Sequence, residues 1–442
     1  MDKLPPEILL RILSHLGEEK LAPYTTVCRG FQKWLETRTF AHIVKKIRHR
    51  AQVEEFDAIF ANPRRHYLPQ SIKFKIWLPA YMIPRKRTKD GRRLPLGIRR
   101  NKHFTRIVRG IFESLHKWNA ARGLSDKPFF LTFNGVPRDD HNYRHMLYGH
   151  KHVGFHNHQV LPELPFVTHI RFEQIDILPS AMSTICKAVP RIENMIWEIT
   201  YPPFAYDALR LSLREALAST LLETDFSHLQ HLWIRLNDKE PLNDDFRPEN
   251  YAGVDGSDRL SLAVNRILKL PKLTTLLLHG VFILSPEIFD VDDECESISR
   301  SLREFHLHLS RRTPDRQWYF TGNRGEDADN QLPMTPNYYR NRPAPNTFNP
   351  FVNALGRAVT KMPALEILNI QFIDEAYITC FAGGDFELIN TSLDDSTVWS
   401  FGFRGRQQPI GEIISRLPRQ AFPLPPEFLR TITAAGHSAS VE

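Results

Sequence analysis

Six times between residues 167 and 370 the chain repeats one short signature: an aliphatic, two residues, an apolar, one residue, an apolar. The copies are Val167/Ile170/Phe172, Ile192/Met195/Trp197, Leu229/Leu232/Ile234, Leu273/Leu276/Leu278, Leu302/Phe305/Leu307 and Leu365/Leu368/Ile370. Apolar residues two apart lie on one face of a strand. Helix-period segments precede several copies, at 181–189, 207–223, 259–270 and 349–362. Upstream, residues 71–79 alternate Ile72, Phe74, Ile76 and Leu78 as a strand does, and 127–133 reads as another strand. Between them, Phe104, Ile107, Val108, Ile111, Phe112, Leu115 and Trp118 share one helical face. Strands alternating with helices predict an α/β fold with a mostly parallel sheet joined by helical crossovers.

The array resembles a leucine-rich repeat of helix–strand units, with departures. Its copies are 25, 37, 44, 29 and 63 residues apart, and Val281 and Ile373 stand where that family closes its repeat with Asn or Cys. An irregular, repeat-like array over 71–433 is therefore expected, offering a surface for partners. Two inserts interrupt it. Residues 236–259 are polar and are expected to be solvated. Residues 311–350 are rich in Pro, Asn and Arg and read as a partly ordered surface loop, with Trp318, Tyr319, Phe320, Tyr338 and Tyr339. Of these, Trp318, Tyr319, Tyr338 and Tyr339 are candidate substrate anchors, since Tyr and Trp are enriched at binding hot spots. The segments "GGDFELIN" and "TVWSFGF" read as a hairpin, and 434–442 as a frayed tail.

Charge is unevenly shared. Residues 1–110 hold 25 Lys and Arg against 9 Asp and Glu, whereas the rest of the chain is net acidic. An acidic partner is favoured at the N-terminal quarter. Within the basic stretch 84–106, "PRKRTKDGRR" reads as a solvated loop, an import signal or a nucleic-acid contact. Few aromatics interleave it, which argues against single-strand binding. The four cysteines are scattered, the N-terminus shows no signal-peptide layout, and no apolar run reaches the roughly 20 residues of a membrane span. A cytoplasmic or nuclear protein with no membrane partner is expected.

The first forty-seven residues are oily for a chain end. Pro5 and Pro6 suit a first helical turn, and Ile8, Leu9, Ile12, Leu13 and Leu16 follow as one stripe about 140° wide. A second segment carries Leu21, Tyr24, Val27 and Cys28. A third, expected to be helical over 30–47, carries Phe31, Trp34, Leu35, Phe40, Ile43 and Ile47. Three short helices cannot bury this much apolar surface among themselves, so another surface must take the surplus.

The order Leu4, Pro5, Glu7, Ile8, Leu9, Ile12, Leu13, Ser14, Leu16, Leu21, Val27, Cys28, Arg29, Phe31 resembles an F-box. It departs at Gly17, Lys20 and Phe31, where that family often has Pro, Asp and Trp. The resemblance implies an F-box at 1–47, a helical, basic linker at 48–70, and the array beyond. It implies a non-enzymatic substrate receptor, as fungal-type F-box proteins with degenerate repeats are, docking a Skp-type adaptor and through it a cullin, with a protein substrate on the array. Leu4, Pro5, Ile8, Leu9, Ile12, Leu13, Leu16, Leu21, Val27, Cys28, Phe31 and Trp34 would face the adaptor. A non-degradative scaffold, and a nucleic-acid-binding protein using 84–106, are the alternatives.

Residues 141–158 hold six histidines, His141, His145, His150, His152, His156 and His158, without a neighbouring cysteine or HExxH, and read as a connecting loop. No phosphate loop, dinucleotide fingerprint, nucleophile elbow or kinase motif is present. No cofactor or metal is expected.

Overall fold

The computed structural model describes Ile8, Arg11 and His15, and residues 29–78, 96–123, 127–136, 152–157, 160–202, 204–238, 241, 243–291, 298–322, 340, 342–372, 385–393, 396–404, 425–434 and 438–440. These fall into two compact units. The first takes in 1–139, 155–175 and 188–191, and the second 140–154, 176–187 and 192–442. The architecture is mixed α/β with mostly parallel strands, as the alternation of patterns predicts.

In the first unit, α1 (Arg29–Ala41) leads straight into β1 (His42–Ile47). The helix expected to run to residue 47 therefore stops six residues early. Ile43, Val44 and Ile47 are β-branched, and they pair parallel with β2 (Ser71–Trp77) over six positions. The 48–70 stretch, expected as a helical, basic linker, carries α2 (Arg50–Ile59) as the crossover between these strands, with Val53 and Phe56 buried. A parallel pair needs such a crossover. After α3 (Leu96–His116), β3 (Phe130–Val136) and β4 (His169–Glu173) extend the parallel order β1-β2-β3-β4. One face is sealed by aromatic packing: Phe56 meets Phe74 edge-on at 5.3 Å, and Phe112 and Phe172 stack on either side of Phe133 at 6.5 and 5.3 Å.

In the second unit, α4 (Pro179–Ala188) precedes β5 (Asn194–Thr200), α5 (Asp207–Glu223) precedes β6 (His231–Asn237), and α6 (Arg259–Leu268) precedes β7 (Thr275–Phe282). After β8 (Glu304–Leu309), the short strands β9 (Phe320–Thr321) and β10 (Arg342–Pro343) pair with each other. They lead to α7 (Pro345–Thr360) and β11 (Ile367–Phe372). The order β5-β6-β7-β8-β11 is parallel. The expected hairpin is present as β12 (Asp385–Leu393) and β13 (Ser396–Arg404), antiparallel, with β13 against β11. α8 (Pro426–Ala434) and β14 (Ser438–Ser440) follow, and β14 pairs with β12.

The signature maps onto this order uniformly. Its first aliphatic always stands two residues before a strand begins, and its second and third positions are the strand's first two inward residues. All eighteen side chains are buried.

The outward rows of β6, β7 and β8 are aromatic and imidazole-rich. His279 and His308 stack at 4.6 Å, and Trp233 meets His279 edge-on at 5.6 Å. Burial, reinforced by His306 and Arg235, holds the His279 imidazole down at about 4. Burial, with His279, His306 and Arg235, holds His308 at about 4 as well. An unfolded imidazole titrates near 6.5, so between about pH 6.5 and 4 the unfolded chain takes up protons the folded one refuses. Stability should therefore fall as pH drops through that window. The thermal midpoint followed from pH 7 to 4 should show a shallower fall in His308→Asn than in wild type; equal slopes would refute the assignment.

Candidate functional sites

At the N-terminal end, Ile8 is 46% exposed, and Arg11 and His15 are also exposed. Leu4, Pro5, Leu9, Ile12, Leu13, Leu16, Leu21, Val27 and Cys28 lie outside the described residues, and Phe31 lies in α1. Trp34 is half-buried, with the Arg38 guanidinium 5.4 Å from its ring. Its neighbour Leu35 has no exposed surface, and Phe40 meets Phe60 edge-on at 5.3 Å, so α1 is seated on the first unit by the Leu35 and Phe40 side. Arg65 also reaches back to Glu36 at 2.8 Å. Burial alone would raise that carboxyl, but the Arg65 and Gln32 hydrogen bonds hold it below the usual carboxylate value.

The second unit holds a cleft of about 980 Å³, walled by the first turn of α5, the 245–250 loop, Arg316, Trp318 and Arg340. The sequence hides its foundation. Arg210 and Arg214 fall on the same helical stripe as Leu217 and Leu221, and both are buried to within 3%. A guanidinium on an apolar stripe requires a carboxylate, since an unpaired buried charge is prohibitively costly. Asp238 takes Arg210 bidentately, at 3.0 and 2.5 Å. Asp258 takes Arg214 at 2.8 and 2.7 Å. Burial pushes both guanidiniums toward neutrality, and the carboxylates more than reverse it. Asp244 has no exposed surface and accepts from the Arg340 backbone N–H at 2.6 Å, while Arg311 stands 3.4 Å from it. The carboxylates come from the 236–259 insert. That insert, expected to be solvated, is exposed at 253–256, but Asp238, Asp258 and Asp244 are drawn inward to neutralise Arg210, Arg214 and Arg311.

The other insert is likewise folded in its described parts. Tyr319 has no exposed surface and donates its hydroxyl to the Leu284 carbonyl at 2.6 Å. It is a core residue, because Phe351 and Phe372 each meet its ring near 5.3 Å, and it is unavailable as a surface anchor. Trp318 is 7% exposed and lines the cleft, beneath the Arg340 guanidinium at 5.2 Å. Tyr338 and Tyr339 lie outside the described residues. At the cleft wall, burial and then the neighbouring Glu249 carboxylate raise the Asp207 carboxyl. Carboxylates, guanidiniums and the rings of Phe204, Phe246 and Trp318 equip the cleft to hold charged or planar groups.

Of the histidine-rich stretch, His152 contacts the Thr200 carbonyl at 2.6 Å and the His156 backbone N–H donates to Thr105 at 2.8 Å. His141, His145, His150 and His158 lie outside the described residues, as does most of 84–106. Among the described residues no group of three His, Cys, Asp or Glu is placed to hold a metal ion, and no helix is long and apolar enough to cross a membrane. Cys186 is buried, and burial pushes its thiol up to about 12.

Residues 1–40 match a family described as F-box-like. The F-box-like segment ends one residue before α1 does, so it comprises the oily N-terminal stretch and nearly all of that helix. No curated protein matches the chain, and no solved structure does.

Proposed function

We propose that this chain is the substrate receptor of a Skp–cullin–F-box ubiquitin ligase. The F-box-like match at 1–40 carries the reading. Domains of that family generally bind Skp-type adaptors. The surplus apolar surface of Ile8, Leu9, Ile12, Leu13 and Leu16, with Leu4, Pro5, Leu21, Val27, Cys28, Phe31 and Trp34, is the contact set. Exposure of Ile8 and the half-exposed Trp34 beside the seated Leu35 agree with it. The array of 71–433 then presents a protein substrate. Trp318 at the cleft, with Tyr338 and Tyr339, supplies aromatic anchors, while Tyr319 stays in the core, bonded to the Leu284 carbonyl. The chain performs no catalytic step itself, and acts in the cytoplasm or nucleus.

The test is capture of a Skp-type adaptor by the purified chain. Leu9→Asp with Leu13→Asp places two carboxylates in the apolar stripe. It should weaken capture about a hundredfold, as loss of two hot-spot side chains does. An intact protein that fails to capture the adaptor would sink the reading. Ubiquitin transfer to bound proteins in the reconstituted complex separates a receptor from a non-degradative scaffold.

A further inference from the structure

Four of the 25 Lys and Arg of residues 1–110, namely Lys46, Arg48, Lys73 and Lys75, stand on one face of the sheet of the first unit. In the first unit, the inward residues of β1 to β4 pack against Phe56 of α2 and Phe112 of α3, while Val44, Lys46, Phe130 and Arg171 on the outward face are exposed. That outward face forms rows across the strands. One row reads Val44, Lys73, Thr132, Arg171, and the next Lys46, Lys75, Asn134, Glu173. Beyond them Arg48 lies over the Trp77 ring at 4.1 Å. Among the described residues, five cations thus share the face with one carboxylate.

That carboxylate is already committed. Glu173 takes Lys73, the Arg171 guanidinium at 3.0 Å and the Asn134 amide at 3.0 Å. Burial would raise its carboxyl, but Lys73, Asn134 and Arg171 together hold it below the usual range. Lys46, Arg48 and Lys75 remain as cations that Glu173 does not reach. Two apolar side chains stand out of the same surface, Val44 at 59% and Phe130 at 42% exposure. A row of four strands spans about 15 Å, the reach of an extended segment of four or five residues.

We infer that this face docks an acidic protein segment, laid extended over β1 to β4 with its carboxylates on Lys46, Arg48, Lys75 and Arg171 and separate apolar side chains on Val44 and on Phe130. The inference rests on the reading of the array as a substrate-presenting surface and names the chemistry of what it takes. Charge complementarity selects the occupant, and the apolar pair distinguishes a protein segment from a nucleic-acid backbone. The exposed stacking rings of this face among the described residues are one cluster, Phe130 with His169 at 4.0 Å, since Arg48 covers Trp77, and a single strand needs a succession of them.

The experiment uses the full chain without adaptor and a fluorescent twelve-residue glutamate peptide carrying one central leucine, read by anisotropy at low and physiological salt. The combined variant Lys46→Gln, Lys75→Gln, Arg171→Gln should weaken binding about tenfold, as loss of three exposed charge contacts does. Glu173→Gln, which removes the face's one carboxylate among the described residues and frees Lys73 and Arg171, should tighten it. Val44→Ser should weaken the leucine peptide and leave an all-glutamate peptide unchanged. Unchanged affinity in the triple variant would overturn the inference. So would tighter binding of single-stranded RNA than of the peptide with the same dependence on these residues. Adaptor capture through Leu9 and Leu13 is read separately and does not depend on either outcome.

Discussion

Asp258→Ala should destabilise the second unit by about 3–5 kcal/mol, the cost of leaving a buried charge without its counterion. Asp258 is 2% exposed and Arg214 3%, so water cannot replace the lost carboxylate. The substitution leaves Arg214 the Ile283 carbonyl at 2.6 Å and the face of Tyr251 at 4.7 Å, neither of which carries a full charge. Asp258 also caps α6, accepting the Ser261 backbone N–H at 3.0 Å, and loss of a cap adds about 1 kcal/mol. Asp258→Asn keeps a capping oxygen and loses the charge, so it should fall between wild type and Asp258→Ala. Replacing both partners, Arg214→Met with Asp258→Leu, should recover much of the loss, since an apolar pair needs no counterion. Denaturant unfolding of the four proteins checks this, and a cost below 1 kcal/mol for Asp258→Ala would refute it.

Gly280→Ala is expected to be comparably damaging by a different route. Gly280 has φ +94°, and a Cβ there would stand 1.9 Å from the Leu236 carbonyl oxygen of the neighbouring strand. The site lies where the β7–β8 register slips between Leu278 and Phe282, so the backbone already departs from the ladder. Left-handed strain of about 1–2 kcal/mol adds to a backbone collision that β6 and β7 relieve only by parting, for a total of about 3–5 kcal/mol. Gly256 is the control. It has φ +82° with nothing within 4 Å of the added carbon, so Gly256→Ala should cost only the strain, about 1 kcal/mol. Equal costs at the two positions would show that the close approach at Leu236 plays no part.

The strands were legible because their signature is set by burial alone. An aliphatic two residues before the strand and two inward apolar residues within it are what a strand under a helix requires, whatever the spacing between units. The third N-terminal helix was overread because Phe31, Trp34 and Leu35 fit a helical stripe and Ile43 and Ile47 continue it. Only the pairing of β1 with a strand 29 residues downstream decides against that, and pairing is not a local property. The cleft was illegible for a related reason. Asp238, Asp244, Glu249 and Asp258 look like solvated acids in a polar insert until Arg210 and Arg214 are recognised as lying inside the stripe of α5. The warning was in the sequence: charges one helical turn apart, in phase with Leu217 and Leu221. Tyr319 and Trp318 are adjacent and of similar character, and no composition argument could send one to the core and the other to the cleft.

Strand order carries a consequence for how the chain is made. From β1 to β4, and from β5 through β8 to β11, the strands lie side by side in the order in which they are made. Every such pairing can therefore close as soon as the later strand is synthesised, with loops whose entropic cost rises only slowly with length. The C-terminal end breaks the rule. There the order is β11-β13-β12-β14, so β12 emerges first yet has no place against β11. The edge of β11 stays bare until Ser396–Arg404 has been made and the hairpin seats through β13. A bare parallel edge next to a nascent hydrophobic strand is where a ribosome-bound chain is most exposed to wrong pairing. Truncations ending between residues 393 and 396, which carry β12 but lack β13, should accordingly aggregate more during synthesis than the full chain.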